Sequence, residues 1–459
     1  MTDERTRRLL DHRLAAEQAS HRLPSVAAGL ARGAGLVWAG GRGRIDGADG
    51  PVAGPDVQYR AGSITKTFTA VAVLRLRDQG RLDLSDPVGR HVDAAGAAGL
   101  TVGQLLSHTS GLRAETAGPW WERTAGSSFG SLAESSLGPD AQRLRPGWQY
   151  HYSNVGYALL GEVVARLRGR PWHEVITEEL LAPLGMRRTT PRPEPPHATG
   201  FAVHPHADLL LPEPEHDAAA MAPAGQLWTT VGDLARWAGF LSGAASQPAL
   251  LDQATLAEMR KPAGIFDVPG QPWELGYGLG LQLWNTGGRR SYGHTGSMPG
   301  FVGVLQVDAA SGDAAIMLSN STTPPGGGQA FTDGLLRLLA ENDPPTPPEW
   351  RPSGVARDTL GLVGTWYWGP MAFLVSVGGD VLEFRPAGPA AAAAFRFRRG
   401  GDGSWTGLDG YFAGERLRPV PGPDGRIVAL DLASHTYTRV PYDATAPVPG
   451  DVHPGGWRS

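Results

Sequence analysis

From Thr67 to Leu76 almost every residue is apolar or small. A helix that is apolar all round has to be buried between layers. The run therefore demands a fold that packs other elements around a central helix. Arg77, Asp78 and Gln79 mark its exit to solvent, and Gly80 suits a C-terminal cap. At its head stand Ser63 and Lys66, three apart and so on one helical face. A serine hydroxyl is a weak nucleophile until a base takes its proton. A lysine shielded from water has its pKa lowered toward that task. The first turn of a helix also carries free backbone N–H groups that favour negative charge.

The 459 residues leave room for two or three domains around that helix. A formal net charge of -4 gives no electrostatic case for nucleic acid or an acidic membrane surface. The chain has 0 cysteines, which excludes disulfides, thiol catalysis and zinc-thiolate sites. The N-terminal segment reads as an amphipathic helix broken by charges, without the apolar core of a secretory signal. No apolar run is long enough for a membrane span. With Met1 at the start, these features predict a cytoplasmic protein.

Two short apolar runs split by Arg32-Gly33 predict a hairpin, and Gln58-Tyr59-Arg60 approaches Ser63 as an extended segment. A capped helix followed by a turn is predicted over Leu100–Leu112, and helices over Val155–Arg168, Trp172–Leu184, Thr229–Leu241 and Phe331–Glu341. Strands are predicted over 277–285, 300–308 and 313–319, with a further strand ending near Tyr292. Residues 191–217 form a polar loop rich in Pro and His. A Pro-rich linker over 342–353 ends the first domain, 1–341. Beyond it, over 354–445, short alternating runs at close spacing suggest about eight strands and a small antiparallel barrel or sandwich. Ala387–Ala394 reads as a flexible connection, and 446–459 as a tail.

A lone Ser-x-x-Lys is common. Here two further patterns accompany it: Tyr152-Ser153-Asn154 at a loop-to-helix junction, and His294-Thr295-Gly296 after a strand. With Leu106-Ser107-His108-Thr109-Ser110-Gly111-Leu112, they make the chain resemble the penicillin-recognising serine enzymes. The likeness is to the branch of class C β-lactamases, DD-peptidases, D-aminopeptidases and esterases, and covers about residues 20–340.

The resemblance implies an α+β fold, with an antiparallel sheet flanked by helices and a helical lobe, followed by a lipocalin-like barrel. It implies Ser63 as the acylated nucleophile, Lys66 as its base and Tyr152 as a proton relay. Asn154 would orient Lys66 and the substrate amide, and the N–H groups of Ser63 and Ser297 would form the oxyanion hole. Thr295 and Gly296 would line the substrate site. No cofactor or metal is called for. His294 stands where the penicillin-binding pattern has lysine. Imidazole is mostly neutral at pH 7, so the permanent anchor for a substrate carboxylate is lost. Amide, ester or thioester donors without that carboxylate are favoured.

Other residues carry paired readings. Trp120 and Trp121 belong either to the cleft or to a hydrophobic patch of the lobe, and Trp228 leans to the cleft wall. Arg439 either contacts a peptide or is a strand-surface arginine. His108 is a structural turn residue. His197, His204, His206, His216 and Asp217 lack ligand-like spacing for a metal.

In overall layout, including Thr436–Asp443, the chain resembles the stand-alone penicillin-binding-protein-type thioesterases of nonribosomal peptide pathways. That likeness implies a peptidyl thioester, presented on a carrier-protein phosphopantetheine, with a D-configured C-terminal residue and head-to-tail closure. An esterase or D-aminopeptidase with the same catalytic residues is the alternative, and a non-catalytic binding protein on this fold is a third.

Overall fold

The computed structural model describes residues 2–245, 247, 249–322, 328–347, 349–388 and 394–441. They fall into two units, Met1–Thr346 and Pro347–Ser459, each described by itself.

The first unit has ten α-helices among its described residues: α1 (Glu4–Ser20), α2 (Thr65–Asp78), α3 (Val102–Leu106), α4 (Phe129–Ser136), α5 (Asn154–Arg168), α6 (Trp172–Ile176), α7 (Ala222–Gly225), α8 (Val231–Ser242), α9 (Gln253–Met259) and α10 (Gln329–Asn342). Its strands are β1 (Ser25–Arg32), β2 (Gly35–Gly43), β3 (Tyr59–Arg60), β4 (Phe201–Val203), β5 (Leu210–Pro212), β6 (Trp228–Thr229), β7 (Gly264–Ile265), β8 (Leu275–Tyr277), β9 (Gln282–Thr286), β10 (Arg289–Met298), β11 (Phe301–Asp308) and β12 (Ala314–Ser319). Eight of them form one sheet in the order β2-β1-β12-β11-β10-β9-β8-β7.

The apolar run at 67–76 sits inside α2, buried as its composition requires. Its threonine hydroxyls are satisfied: Trp237 Nε1 donates to Thr67 Oγ1 at 2.8 Å, and Thr69 Oγ1 donates to the Pro223 carbonyl at 2.9 Å. Phe68 stacks on Trp237 with centroids 3.9 Å apart. Such pairing removes most of the cost of burying hydroxyls. One side of the sheet packs against this helical core; α1 and α10 cover the other, around Val304, Ala315 and Met317.

Several expectations shift. Ser63 lies in a 3₁₀ turn, Gly62–Ile64, that leads into α2 rather than in its first α turn. The helix predicted over 172–184 is one short α-helix followed by a π turn, Thr177–Leu181. The segment 277–285 is two strands, parted by a turn in which Gly280 has φ +81. The strand expected to stop near Tyr292 runs on to Met298, so His294-Thr295-Gly296 lies within β10. It pairs with β11 through that motif, His294 opposite Leu305 and Gly296 opposite Gly303.

The second unit is a closed antiparallel barrel. Its strands are β13 (Gly364–Trp368), β14 (Met371–Gly378), β15 (Val381–Pro386), β16 (Phe395–Arg399), β17 (Trp405–Gly407), β18 (Arg416–Pro421), β19 (Ile427–Leu432) and β20 (His435–Thr438). Its interior is filled by its own side chains, among them Trp366, Phe384, Phe397, Trp405 and Leu417. Most of the loop Ala387–Ala394, the tail 446–459, and Tyr442 and Asp443 lie outside the described residues.

Candidate active site

The turn that carries Ser63 is pinned from two sides. Ala61 N–H donates to the Leu227 carbonyl at 2.7 Å, and Leu227 N–H donates to Thr65 Oγ1 at 3.2 Å. Gly62 has φ +53, a left-handed conformation in which side chains are strained. Its missing Cβ also allows the close approach of β10: a Cβ there would lie 2.4 Å from the Ser297 nitrogen. The same holds at Gly296, where a Cβ would lie 1.9 Å from the Ala61 carbonyl oxygen and 3.3 Å from the Ser63 nitrogen. The two glycines thus bring the backbone of Ser63 against that of Ser297.

Lys66 has no exposed surface. Its Nζ donates to Ser63 Oγ at 2.9 Å and to the Ala224 carbonyl at 2.7 Å. It lies 4.9 Å from the ring centre of Tyr152 and 5.6 Å from that of Tyr157. Burial lowers its pKa to about 7, while Glu115 and Glu122 pull the other way. A neutral amine beside a serine hydroxyl can take its proton. Burial also holds the Tyr152 phenol well above its usual range, with the hydrogen bond to Ser63 opposing. Tyr152 therefore keeps its proton at neutral pH and can donate it.

Asn154 opens α5, whose N-cap is Ser153. Its Nδ2 donates to Glu115 Oε1 at 2.7 Å, so its partner is this carboxylate and not, as expected, Lys66. Trp121 Nε1 donates to the other carboxylate oxygen of Glu115 at 2.7 Å. Glu122 accepts from Trp120 Nε1 at 2.8 Å, and burial raises its pKa. Neither glutamate stands out in the sequence. Glu115 follows a turn motif in an irregular loop, brought to α5 by the bond from Asn154 N–H to the Ala114 carbonyl, 2.8 Å.

His294 does not open onto the cleft. It has no exposed surface, its Nδ1 lies 2.5 Å from the Thr295 carbonyl oxygen, and its Nε2 lies 3.0 Å from the Tyr277 hydroxyl. A carbonyl only accepts, so Nδ1 carries the proton and Nε2 accepts from Tyr277. Burial, with the charge of Lys66 second, lowers its pKa to about 3, so the ring is neutral. Its catalytic assignment becomes a supporting one. Thr295 is held by Gln282, whose Oε1 accepts from its N–H at 2.8 Å and its hydroxyl at 3.1 Å.

His108 has φ +55, fitting a turn residue, but it also lies under the site. Its Nδ1 accepts from Ser153 N–H at 3.0 Å, and its ring centre is 4.2 Å from that of Tyr152. Trp228 is no cleft wall: it is 2% exposed, pairs with Arg60 across β3 and β6, and meets Phe301 edge-on. Trp121 is buried beside Glu115, whereas Trp120 is 59% exposed. Arg439 belongs to the barrel unit, where it stacks on Trp366 at 3.8 Å and donates to the carbonyls of Gly361, Val363 and Thr365. Among the described residues no group of three or more His, Asp or Glu is placed to hold a metal ion.

Residues 7–338 match the Beta-lactamase family. The chain belongs to it. The members are serine hydrolases, and the fold of the first unit is theirs. Residues 355–439 match a domain of unknown function, DUF7586. Penicillin-binding protein 4 of Amycolatopsis lactamdurans is 30% identical over 311 residues, 62% of this chain and 77% of that protein. Among solved structures, SurE is similar with a TM-score of 0.60 and 25% identity, over 95% of this chain and 99% of that one. A D-stereospecific amidohydrolase from Streptomyces sp. is similar with a TM-score of 0.58 and 26% identity, over 73% of this chain and 99% of that one.

Proposed function

We propose that the protein is an acyltransferase that releases a peptidyl thioester from a carrier and closes it head to tail, with a D-configured residue at the acylating end. The neutral, enclosed His294 carries this reading. It leaves no cation from the third motif to hold a donor's free carboxylate, which favours an amide, ester or thioester donor without one. Likeness to SurE along both units and to a D-stereospecific amidohydrolase supports the layout and the D-configured donor.

In this reading Ser63 Oγ attacks the thioester carbonyl as Lys66 takes its proton. The oxyanion is met by the N–H groups of Ser63 and Ser297; losing one such donor costs about 100–1000-fold in rate. The C–S bond breaks, and the thiolate leaves as a thiol with a proton supplied through Tyr152. The peptide's own N-terminal amine then attacks the acyl-enzyme, and its proton returns through Tyr152 to Ser63 as the ester bond breaks. Holding that amine near the ester makes its attack effectively unimolecular.

A hydrolase reading uses the same residues with water in the second step, and the likeness to an amidohydrolase favours it. Incubation with a linear peptidyl thioester ending in a D-residue separates the two. The cyclic peptide, one water lighter than the free acid by mass spectrometry, is the expected product. Free acid alone, across several such substrates, would overturn cyclisation.

A further inference from the structure

We propose that a cavity along β8, β9 and β10, apart from the Ser63 site, binds a free apolar amino acid as its zwitterion. The cavity measures about 290 Å³, the lower end of small-molecule sites. Strand register defines its floor. Leu283 stands opposite Gly276 on β8 and opposite Tyr292 on β10. These three share one face of the sheet, and at Gly276 the absent side chain lets Ile265 pack close, since a Cβ there would lie 3.2 Å from Ile265 Cδ1. Tyr292 is 3% exposed, with the Arg260 guanidinium 4.7 Å above its ring centre. Arg260 is itself held by the Leu241 carbonyl. Ile265 and Trp273, 42% and 69% exposed, stand at the mouth.

The next row on the same face is polar. Asn285 stands opposite Arg290, and its N–H donates to the Glu274 carbonyl at 2.8 Å. Glu274, Asn285 and Arg290 therefore line up across three strands, all exposed and all lining the cavity. With strands about 4.8 Å apart, the two charged residues start roughly 10 Å from each other. Neither has an ion-pair partner among the described residues. An exposed carboxylate and an exposed guanidinium in one row, beside the row of Leu283 and Tyr292, complement an ammonium, a carboxylate and an apolar side chain on one carbon.

No residue that surrounds Ser63 lines this cavity, so the site stands independently of the reading above.

The test is titration of the full chain with L- and D-phenylalanine, followed by calorimetry and by the fluorescence of Trp273 and Trp284. Saturable binding of at least one enantiomer is expected, and it should persist after Ser63 has been blocked with a fluorophosphonate. Arg290→Gln and Glu274→Gln, both at exposed positions that folding tolerates, should each weaken it at least tenfold. 3-Phenylpropionate, which lacks the ammonium, should bind the wild-type chain at least tenfold more weakly than phenylalanine. Absence of saturable binding would overturn the proposal. So would binding that is abolished by blocking Ser63 and indifferent to Arg290→Gln, because the amino acid would then occupy the catalytic cleft.

Discussion

Lys66 sets the pH behaviour. Burial brings its pKa from the usual 10.5 to about 7, so the neutral form gains as pH rises through that value. Acylation of Ser63 should climb between pH 6 and 8 and then level, read by intact mass with a thioester probe. Lys66→Ala should abolish acylation itself; normal acylation in that variant would reject Lys66 as the base. Glu115 opposes the lowering. Glu115→Gln should therefore move the rising limb to lower pH, while the neutral amide still accepts from Asn154. Stability follows the same linkage. Between about pH 7 and 10.5 the unfolded chain holds the lysine proton more tightly than the folded one, so this residue's penalty is full below pH 7 and fades above it. Lys66→Met should raise the melting temperature more at pH 6 than at pH 9.

At the scale of elements, the site depends on how closely β10 approaches the turn before α2. Gly296→Ala places a methyl group 1.9 Å from the Ala61 oxygen, a backbone atom that cannot rotate away. Overpacking of this kind costs about 1–3 kcal/mol. It should also part the N–H groups of Ser63 and Ser297, lowering acylation by roughly 100-fold. A mild fall in melting temperature with unchanged acylation would show that the approach of β10 is not needed for catalysis. The hydrogen bond from Asn154 to Glu115 ties the start of α5 to the loop before it.

At the scale of the molecule, each unit has its own apolar core. In the barrel, Trp366 is fully buried; its Nε1 donates to the Leu362 carbonyl at 2.6 Å, and Arg439 covers its ring. Trp366→Ala should cost about 3–5 kcal/mol. Calorimetry should then show the barrel melting at lower temperature.

The central helix, the motifs that bracket it and the split into a mixed unit and a β unit were legible in the chain, because each rests on local pattern: apolar continuity, i,i+3 spacing, or a change of period at the Pro-rich linker. Strand ends were less so, since β10 continues past Tyr292 on pairing with β11 that no local signal records. Away from the Ser63–Lys66 pair, the directions of several side chains were not legible. His294 and Trp228 read as cleft residues and are enclosed, while Glu115 and Glu122 carry no pattern and stand near Lys66. Sequence by itself determined that Ser63 and Lys66 share a face at the head of a buried helix. Only the tertiary structure decided how far burial lowers the lysine and which carboxylates oppose it, because desolvation and charge depend on neighbours brought from distant parts of the chain.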